Sequence, residues 1–377
     1  MKKKTVKTTK TKTKTSKTSK TSRVEQRRGL VLGSLKTLGG QIYSQLSEKQ
    51  WPSVRMPSRS IKNIHYDEKT RQYVLGEHYV RRSARNIRHV RPLTQLVWTG
   101  SFVDELAREG KTSTLRDVFY SAQAYEMSFA DQAESDDIIT DLETVLGYSR
   151  EDFNVFPEER SAIFGDLTIR YTVRGYEGKE LNLSSHPDGM MIGPALTNAE
   201  FANCKADKII AIEKGGLFTR FIEERVHEKY KALLIHTAGQ APRATRALLR
   251  RLNEELGLPV YIFCDADPWG MHIANVIISG SANAAHLREL NTPDAKWAGV
   301  WASDIVDYKL PSDPLTDLDI KRLYELEKDP RYNGKLWKNE IATFLKVKKK
   351  AEQEAFSRYG LAYIVDKYLP AKLKEIG

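Results

Sequence analysis

Two aspartates follow the most apolar strand that the sequence predicts. Residues 258–264 are nearly all apolar, which is typical of a strand buried on both faces, and Asp265-Ala266-Asp267 comes directly after them. On an extended chain residues i and i+2 share a face, so the two carboxylates point the same way. Carboxylates this close repel each other unless a cation lies between them, and hard oxygen ligands suit Mg²⁺. The structural alternative is that Asp265 caps the next helix and Asp267 is a solvated loop residue.

A tyrosine and an arginine one helical turn apart form a second candidate site. Ser113 can cap a helix that begins at Thr114, and Arg116 and Tyr120 then lie at i and i+4 on the side facing away from the apolar face. A phenol, with a pKa near ~10, attacks poorly unless a cation and a phosphate-orienting group stabilise the phenolate. The pair therefore indicates either a nucleophile with its phosphate-orienting partner, or amphipathic packing with a surface cation–π contact.

The helix that carries this tyrosine is the second of a predicted pair. Residues 92–108 predict a helix that stops at Gly110, and a short glycine-containing turn between two helices is typical of a helix-turn-helix, whose second helix is the usual groove reader. A third helix is predicted at residues 135–148, and strands at residues 162–176 and 180–183. Three helices followed by a hairpin indicate a winged-helix module that ends near residue 195.

Beyond residue 207 the predicted strands and helices alternate. The strands are predicted at residues 208–212, 232–237, 258–264 and 297–300, and the intervening helices at residues 217–230 and 242–256. Such alternation implies a parallel sheet covered by helices, in which ligands bind beyond the carboxyl ends of the strands. Glu213 and the aspartate pair both lie at such ends. Three carboxylates therefore converge on one edge, which favours a metal site over a structural role.

Composition and charge place the chain among soluble globular proteins of two or three domains. It has 377 residues, of which 40% are hydrophobic and 29% charged. No apolar run reaches the ~18 residues of a membrane helix, and no signal peptide is recognisable, so we expect an intracellular protein with no membrane partner. Cys204 and Cys264 are too far apart for a C-x-x-C motif, so neither zinc nor a disulfide framework is indicated.

The net charge of +11 resides in one segment. Residues 1–28 hold 12 Lys and Arg against the single Glu25, while the rest of the chain has equal numbers of basic and acidic residues. Residues 1–22 are a Lys/Thr/Ser repeat that cannot bury enough surface to fold, so we expect disorder. The arm could contact phosphates without sequence preference, or it could be a solubilising tail or a targeting segment.

The motifs together resemble those of one family. Residues 114–121, TLRDVFYS, resemble the nucleophile motif of the A subunits of DNA topoisomerase VI and their meiotic double-strand-break relatives. Ile212-Glu213-Lys214, GQAPRATR at residues 239–246 and DADPWG at residues 265–270 resemble the metal-binding Toprim domain of the same proteins. The match covers about residues 70–370 in the family's order. Phe119 and Trp269 stand where tyrosine is common, and neither change removes a ligand or the nucleophile.

The resemblance implies a mechanism for these residues. Tyr120 would attack a DNA phosphodiester and become linked to the 5′ phosphate, while Arg116 clamps that phosphate. Glu213, Asp265 and Asp267 would hold one or two Mg²⁺ ions, or Glu213 would instead serve partly as acid or base for the 3′ oxygen. One tyrosine cuts one strand, so the resemblance implies a homodimer on double-stranded DNA, with the tyrosine of one protomer facing the metal domain of the other.

The resemblance also implies an ATP-dependent partner. The sequence contains no G-x-x-x-x-G-K-[ST] loop, so ATP would act only through a separate GHKL-type ATPase B subunit in an A₂B₂ heterotetramer. The expected function is Mg²⁺-dependent double-strand cleavage and religation coupled to ATP-driven strand passage, which relaxes supercoils and decatenates DNA. The expected location is the cytoplasm or nucleoid, or the nucleus of a eukaryote.

The sequence thus predicts an α/β multidomain protein. We expect a disordered basic arm at residues 1–28, an N-terminal extension with a helix and a strand pair at residues 29–85, a winged-helix domain carrying Tyr120 at residues 86–195, and a Toprim-type parallel α/β domain with C-terminal helices at residues 200–377. Three alternatives remain open: a meiotic-type break-maker without efficient religation, a catalytically silent winged-helix DNA-binding protein, and a Toprim nuclease that uses water.

Overall fold

A computed structural model of the protein describes residues 23–377 and contains two large hydrophobic clusters. The first joins the N-terminal helix to the helices around Tyr120, and the second surrounds a six-stranded sheet. Residues 1–22, which hold most of the expected basic arm, lie outside the described residues. Within residues 23–377 no helix has both the length and the apolar character needed to cross a bilayer.

The N-terminal extension is one long helix followed by two antiparallel strand pairs. Its elements are α1 (Arg23–Ser47), β1 (Ser53–Pro57), β2 (Ile64–Asp67), β3 (Gln72–Leu75) and β4 (Tyr79–Ser83). Strand β2 pairs with β3, and β1 pairs with β4 around them. The helix and the strand pair predicted here are both present, with β1 and β4 as a second pair that the sequence pattern did not resolve.

The basic arm was expected to run to residue 28, and this boundary is wrong. Residues 23–28 are the first residues of α1. The Arg27 Nε donates to Asp152 at 2.9 Å, and its Nη2 lies 2.6 Å from Glu289. These ion pairs reach both halves of the molecule, so the last arginines of the segment have specific partners that a solvated arm would lack.

The helix-turn-helix predicted around Tyr120 is present. It comprises α2 (Ile87–Glu109), β5 (Ser113–Thr114), α3 (Leu115–Ala124), α4 (Gln132–Leu146) and the short strand β6 (Val155–Phe156). Gly110 ends α2 in the left-handed conformation, with a φ of 67°. The N-cap of α3 is Thr114 and not Ser113, because Ser113 pairs with Val155 between β5 and β6.

The second half of the chain builds the large sheet. The elements that precede its alternating part along the chain are β7 (Ala162–Phe164), β8 (Leu167–Arg170), β9 (Glu180–Asn182), β10 (Met190–Met191), α5 (Pro194–Thr197) and β11 (Glu200–Cys204). The alternating part is β12 (Lys208–Ile212), α6 (Gly215–Glu223), α7 (Val226–Lys229), β13 (Ala232–His236), α8 (Arg243–Leu256), β14 (Val260–Phe263), α9 (Pro268–Ser279) and β15 (Lys296–Gly299).

The sheet has the strand order β10-β7-β13-β12-β14-β15. Strands β13, β12, β14 and β15 are parallel, as the alternating pattern predicted. The single helix predicted at residues 217–230 is instead two helices, α6 and α7, because Arg225 between them has a left-handed φ of 55°.

The hairpin that was expected to complete a winged helix lies elsewhere. Strand β7 pairs antiparallel with β13, and β10 pairs with β7, so both extend the large sheet. Strands β8, β9 and β11 form a separate three-stranded sheet. The physical reason is packing: Ile163, Leu167 and Ile169 are fully buried in the cluster around the large sheet and not against the three helices. A module boundary near residue 195 therefore does not describe this packing.

Helices and short strands follow the large sheet. They are α10 (Ala302–Asp307), β16 (Asp313–Pro314), α11 (Asp317–Lys328), α12 (Lys335–Val347), β17 (Lys349–Lys350) and α13 (Leu369–Ile376). An antiparallel bridge between Ala266 and Ala351 then brings residues 351–354 beside the aspartate pair.

A buried carboxylate joins the two halves. Glu143 on α4 is fully buried, and it accepts hydrogen bonds from Arg150 of its own half and from Arg243 of α8, the latter at 2.6 Å. The His286 Nε2 lies 3.2 Å from the same carboxylate. Burial alone would raise the pKa of Glu143, but Arg243, His286 and Arg150 outweigh it and hold that pKa far below its usual range. The helix-turn-helix is thus fixed to α8 by charged groups on both sides.

Candidate active site

The carboxyl ends of two neighbouring parallel strands bring Glu213 and Asp265 together. Glu213 follows β12, and Asp265 follows β14, which is hydrogen-bonded to β12. The Asp265 N–H donates to the Glu213 Oε2 at 3.1 Å. The edge of the sheet that the sequence singled out therefore holds Glu213 and Asp265 next to each other, with the Glu213 carboxylate on the backbone of Asp265.

Asp265 is the most buried carboxylate of this edge. Only 5% of the residue is exposed, and its carboxylate accepts the Gln353 N–H at 3.0 Å and the Lys214 ammonium at 3.0 Å. Burial and the negative charge of Glu213 raise the pKa of Asp265 to about 7. Burial also raises the pKa of the half-buried Glu213. Ionisation of both carboxyl groups is therefore unfavourable in this site, and a bound cation would stabilise their charged forms.

The side chains of Lys214, Glu352 and Glu354 complete this cluster, and the sequence pattern gave none of them a role in the site. One oxygen each of Asp265, Glu352 and Glu354 lies within 4.8 Å of the others, and the Lys214 ammonium contacts both Asp265 and Glu352. The contact with Lys214 lowers the pKa of Glu352. A hint was present in the sequence, since Glu352 and Glu354 share the i, i+2 spacing of the aspartate pair, but nothing in it placed them beside Asp265.

Asp267 has a partly structural role. Its Oδ1 accepts the Gly270 N–H at 2.6 Å, so Asp267, and not Asp265, is the N-cap of α9. Burial nevertheless raises the pKa of its carboxyl group. A Cβ on Gly270 would lie 2.2 Å from the carbonyl oxygen of Asp265, so only glycine allows the helix to start this close to the carboxylates.

The residues of this edge fit an oxygen-preferring divalent cation. Glu213, Asp265 and Asp267 all have raised pKa values because burial disfavours their charged forms. The Lys214 ammonium offsets part of this cost by its contact with Asp265. Among the described residues, the group that lies within metal-ligand reach of one another is Asp265, Glu352 and Glu354, and it does not include Glu213 or Asp267.

Tyr120 lies on the exposed side of α3. It is 54% exposed, and its ring makes an edge contact with that of Phe119, with a centroid distance of 5.3 Å. Val118 and Ala122 form the buried side of the same helix, as the sequence predicted. Arg116, one turn before Tyr120, is exposed and has no ion pair with any described residue. Both groups are therefore free to meet a ligand from solvent.

A cleft of about 400 Å³ runs from the start of α3 towards the large sheet. Arg116 lines it from α3, Arg160 from the segment before β7, and Gln240 from the loop before α8. Within residues 23–377, however, no hydrogen bond or ion pair connects Tyr120 or Arg116 to Glu213, Asp265 or Asp267. In one chain the two candidate centres are separate.

The fold and the site define a class of protein: a Toprim-type α/β domain joined to a helix-turn-helix that exposes a tyrosine. Residues 208–373 match the family described as the Toprim domain of Spo11 and of the topoisomerase 6 A subunit. Residues 91–155 match the family described as type IIB DNA topoisomerase. These two ranges contain all five of Arg116, Tyr120, Glu213, Asp265 and Asp267.

Full-length relatives agree with these matches. The chain is 46% identical to the A subunit of type 2 DNA topoisomerase 6 from Methanothermobacter thermautotrophicus, over 93% of this chain and 99% of that protein. It is 39% identical to the protein of that name from Halobacterium salinarum, over 91% and 95% of the two chains. The corresponding protein of Archaeoglobus fulgidus is 38% identical, over 89% and 94%. The chain belongs to the family of DNA topoisomerase VI A subunits, and it is part of an enzyme of the isomerase class.

Proposed function

We propose that this protein cuts and reseals DNA by transesterification at Tyr120. The Tyr120 oxygen forms a bond to the phosphorus of a DNA phosphodiester, and the bond from that phosphorus to the 3′ oxygen breaks. The product is a 5′-phosphotyrosyl link and a free 3′ hydroxyl, and the reverse attack by that hydroxyl reseals the strand. The observation that carries the proposal is an exposed tyrosine one turn from an unpaired arginine, on a chain that also holds a buried carboxylate cluster.

Arg116 would orient the phosphate. A guanidinium binds a phosphate with two parallel N–H bonds, and Arg116 has no carboxylate partner among the described residues that would compete. The separation of i and i+4 places it beside the Tyr120 hydroxyl on the same exposed side of α3. It would therefore hold the attacked phosphorus within reach of that hydroxyl and stabilise the phenolate.

Glu213, Asp265 and Asp267 would hold one or two Mg²⁺ ions, with Glu352 as a further oxygen ligand from the contact cluster. When bound, the metal supplies stabilisation of negative charge on the phosphate and on the 3′ oxygen. Alternatively, Glu213 would serve partly as acid or base for the 3′ oxygen, since burial raises its pKa and favours the protonated form more than in water. Lys214 would have to leave Asp265 when the metal enters.

The assembly would be larger than one chain. Because Tyr120 and the carboxylates do not meet within a chain, a homodimer on double-stranded DNA would pair the tyrosine of one protomer with the metal cluster of the other. The three helices α2, α3 and α4 would act as a winged-helix-type reader of the duplex. A GHKL-type ATPase B subunit in an A₂B₂ heterotetramer would supply ATP-driven strand passage, so that the complex relaxes supercoils and decatenates DNA in the cytoplasm or nucleoid.

The test is a covalent trap. The chain is mixed with its ATPase partner, supercoiled plasmid, Mg²⁺ and an ATP analogue, and then denatured abruptly. We expect linear DNA with protein on its 5′ ends from the wild type and none from Tyr120→Phe. Tyr125→Phe is the matched control, because Tyr125 is also exposed and ends the same helix. With ATP, resealed and relaxed plasmid identifies a topoisomerase, and persistent breaks identify a break-maker. Protein-free breaks from both forms would contradict the tyrosine mechanism and indicate a nuclease.

A further inference from the structure

Exposed arginines cluster where the N-terminal sheet meets α2. We use the name arginine surface for Arg55, Arg81, Arg85 and Arg88, which are all exposed. The first two lie on β1 and β4, Arg85 lies just before the N-cap of α2, and Arg88 lies in the first turn of that helix. Residues 79–91 contain five arginines and no aspartate or glutamate. The surface is therefore strongly positive without any acidic residue in that segment.

Other arginines of the same region form ion pairs within the fold, whereas these four do not. Arg59 and Arg82 both pair with Asp141 on α4, and Arg91 pairs with Glu134 at 2.8 Å. These three arginines are accounted for by the packing of α4 against the sheet.

The arginine surface itself has no ion pair with any residue of the described range 23–377. Arg55 stacks on the Tyr79 ring at 4.2 Å, and the Arg81 Nε donates to the Ser53 hydroxyl at 3.1 Å. Both contacts hold the guanidinium in place without neutralising it. A pre-oriented, uncompensated cation is suited to an anionic ligand.

Two arrangements on this surface oppose folding. Arg55 and Arg81 are direct partners in the antiparallel register of β1 and β4, and like charges in that position repel. Arg88 lies in the first turn of α2, which has no acidic residue, although the amino end of a helix already carries partial positive charge. A fold that keeps two unfavourable arrangements in one place is expected to do so for function.

The arginine surface is connected to the Tyr120 helix through α2. The Trp98 ring on α2 is 6.1 Å from that of Tyr125, which ends α3, and the Gln95 side chain donates to the Ser128 carbonyl at 2.9 Å. Ten helical residues separate Arg88 from Trp98, a length of about 15 Å at 1.5 Å per residue. Because Tyr125 ends the helix that carries Tyr120, α2 and these contacts join Arg88 to the Tyr120 helix.

We propose that the arginine surface binds the phosphate backbone of the DNA duplex beside the cleavage site. This inference rests on the proposed function, because the duplex is the one held by α3. Phosphates placed between Arg55 and Arg81 would turn their mutual repulsion into attraction for the ligand. The contact would be independent of base sequence, since guanidinium groups reach only the backbone here.

The experiment measures non-covalent binding of the full chain to a 40-base-pair duplex in EDTA, over a range of KCl concentrations. The variant is Arg85→Gln with Arg88→Gln. The matched control is Arg170→Gln with Arg225→Gln, which removes the same charge from two exposed arginines that pair with Glu180 and Glu228. Each lost phosphate contact lowers the slope of log affinity against log salt by about 0.9. We expect the variant to lose about 2 from that slope and the control to match the wild type.

A second variant supplies the other arm of the test. Arg81→Gln should weaken binding to the 40-base-pair duplex without lowering the melting temperature, because it removes a like-charge contact. An unchanged slope on the 40-base-pair duplex would overturn the proposal. Loss of binding to the ATPase partner with an unchanged DNA slope would assign the surface to a protein contact and overturn it equally.

The assay separates this inference from the chemistry of Tyr120. It needs neither Mg²⁺ nor the Tyr120 hydroxyl, because it measures non-covalent affinity in EDTA. A reduced slope for Arg85→Gln with Arg88→Gln, together with no covalent adduct in the trap, would support the arginine surface and contradict the proposed transesterification. An adduct together with an unchanged slope would do the reverse.

Discussion

Asp265 is the residue whose ionisation the metal site depends on. It is 5% exposed, so burial disfavours its charged form. Its backbone N–H donates to Glu213, and its carboxylate accepts the Lys214 ammonium and the Gln353 N–H. Its carboxyl group has a pKa of about 7, raised by burial and by Glu213, so it is mostly protonated at pH 6 and mostly ionised at pH 8. A divalent cation must displace that proton before it binds.

Metal affinity should therefore rise with pH across the pKa of Asp265. Displacing one proton gives up to a tenfold gain in affinity per pH unit below about 7 and little gain above about 8. Mn²⁺ binding to the DNA-free protein, followed by electron paramagnetic resonance, measures this directly. Asp265→Asn should bind weakly and with little dependence on pH. A wild-type affinity that stays constant from pH 6 to pH 8 would contradict displacement of a proton from Asp265 by the metal.

The predictability of the site differs from residue to residue. Glu213 and Asp265 could be proposed because a parallel sheet brings the carboxyl ends of its strands to one edge, and the strands were recognisable. Glu352 could not, because it follows β17 and reaches Asp265 only through the bridge from Ala351 to Ala266. Such a contact depends on the packing of the whole C-terminal part. The roles proposed for all five residues, Tyr120, Arg116, Glu213, Asp265 and Asp267, remain predictions.

At the level of elements, α3 is positioned by its cap. The Thr114 hydroxyl accepts the Asp117 N–H at 3.0 Å, and the Asp117 carboxylate accepts the Thr114 N–H at 3.0 Å. This reciprocal pair fixes the first turn of a helix of only ten residues, the turn that carries Arg116.

Thr114→Ala should lower the free energy of unfolding by about 1 kcal/mol. It should also lower the yield of covalent adduct, because fraying of the first turn displaces Arg116. Thr316→Ala is the control, since Thr316 and Asp319 form the same capping box at the start of α11. Denaturant unfolding and the covalent trap measure the two effects. Equal loss of adduct in both variants would mean that the effect arises from general destabilisation and not from α3.

Local sequence patterns predicted most helices and strands, but they did not predict which strand pairs with β7. The parallel strands and the helices around Tyr120 were recognisable from hydrophobic periodicity and from Gly110. The strands after residue 160 were also recognised, but their partners were not. The partner of β7 is β13, about 70 residues further along the chain, and nothing local distinguishes that pairing from a wing.

At the level of the whole molecule, one chain holds its two candidate centres apart. Glu143 fixes the helix-turn-helix to α8 through Arg243, so Tyr120 cannot move onto its own carboxylates without breaking an ion pair whose carboxylate is fully buried. Removing one partner of such a pair typically costs about 3–5 kcal/mol. The tyrosine is therefore expected to act on the metal cluster of a second chain.

The most direct test of this central claim is complementation between two inactive chains. A heterodimer of Tyr120→Phe and Asp265→Asn, isolated through two different tags and supplied with the ATPase partner, contains one intact pair of centres only if the site forms between protomers. We predict that it nicks one strand and leaves protein on the 5′ end, while each variant alone does neither. A heterodimer of the wild type with the double variant should then be inactive. The opposite pattern, with activity only in that second heterodimer, would show that the tyrosine and the carboxylates of one chain work together and would contradict the account.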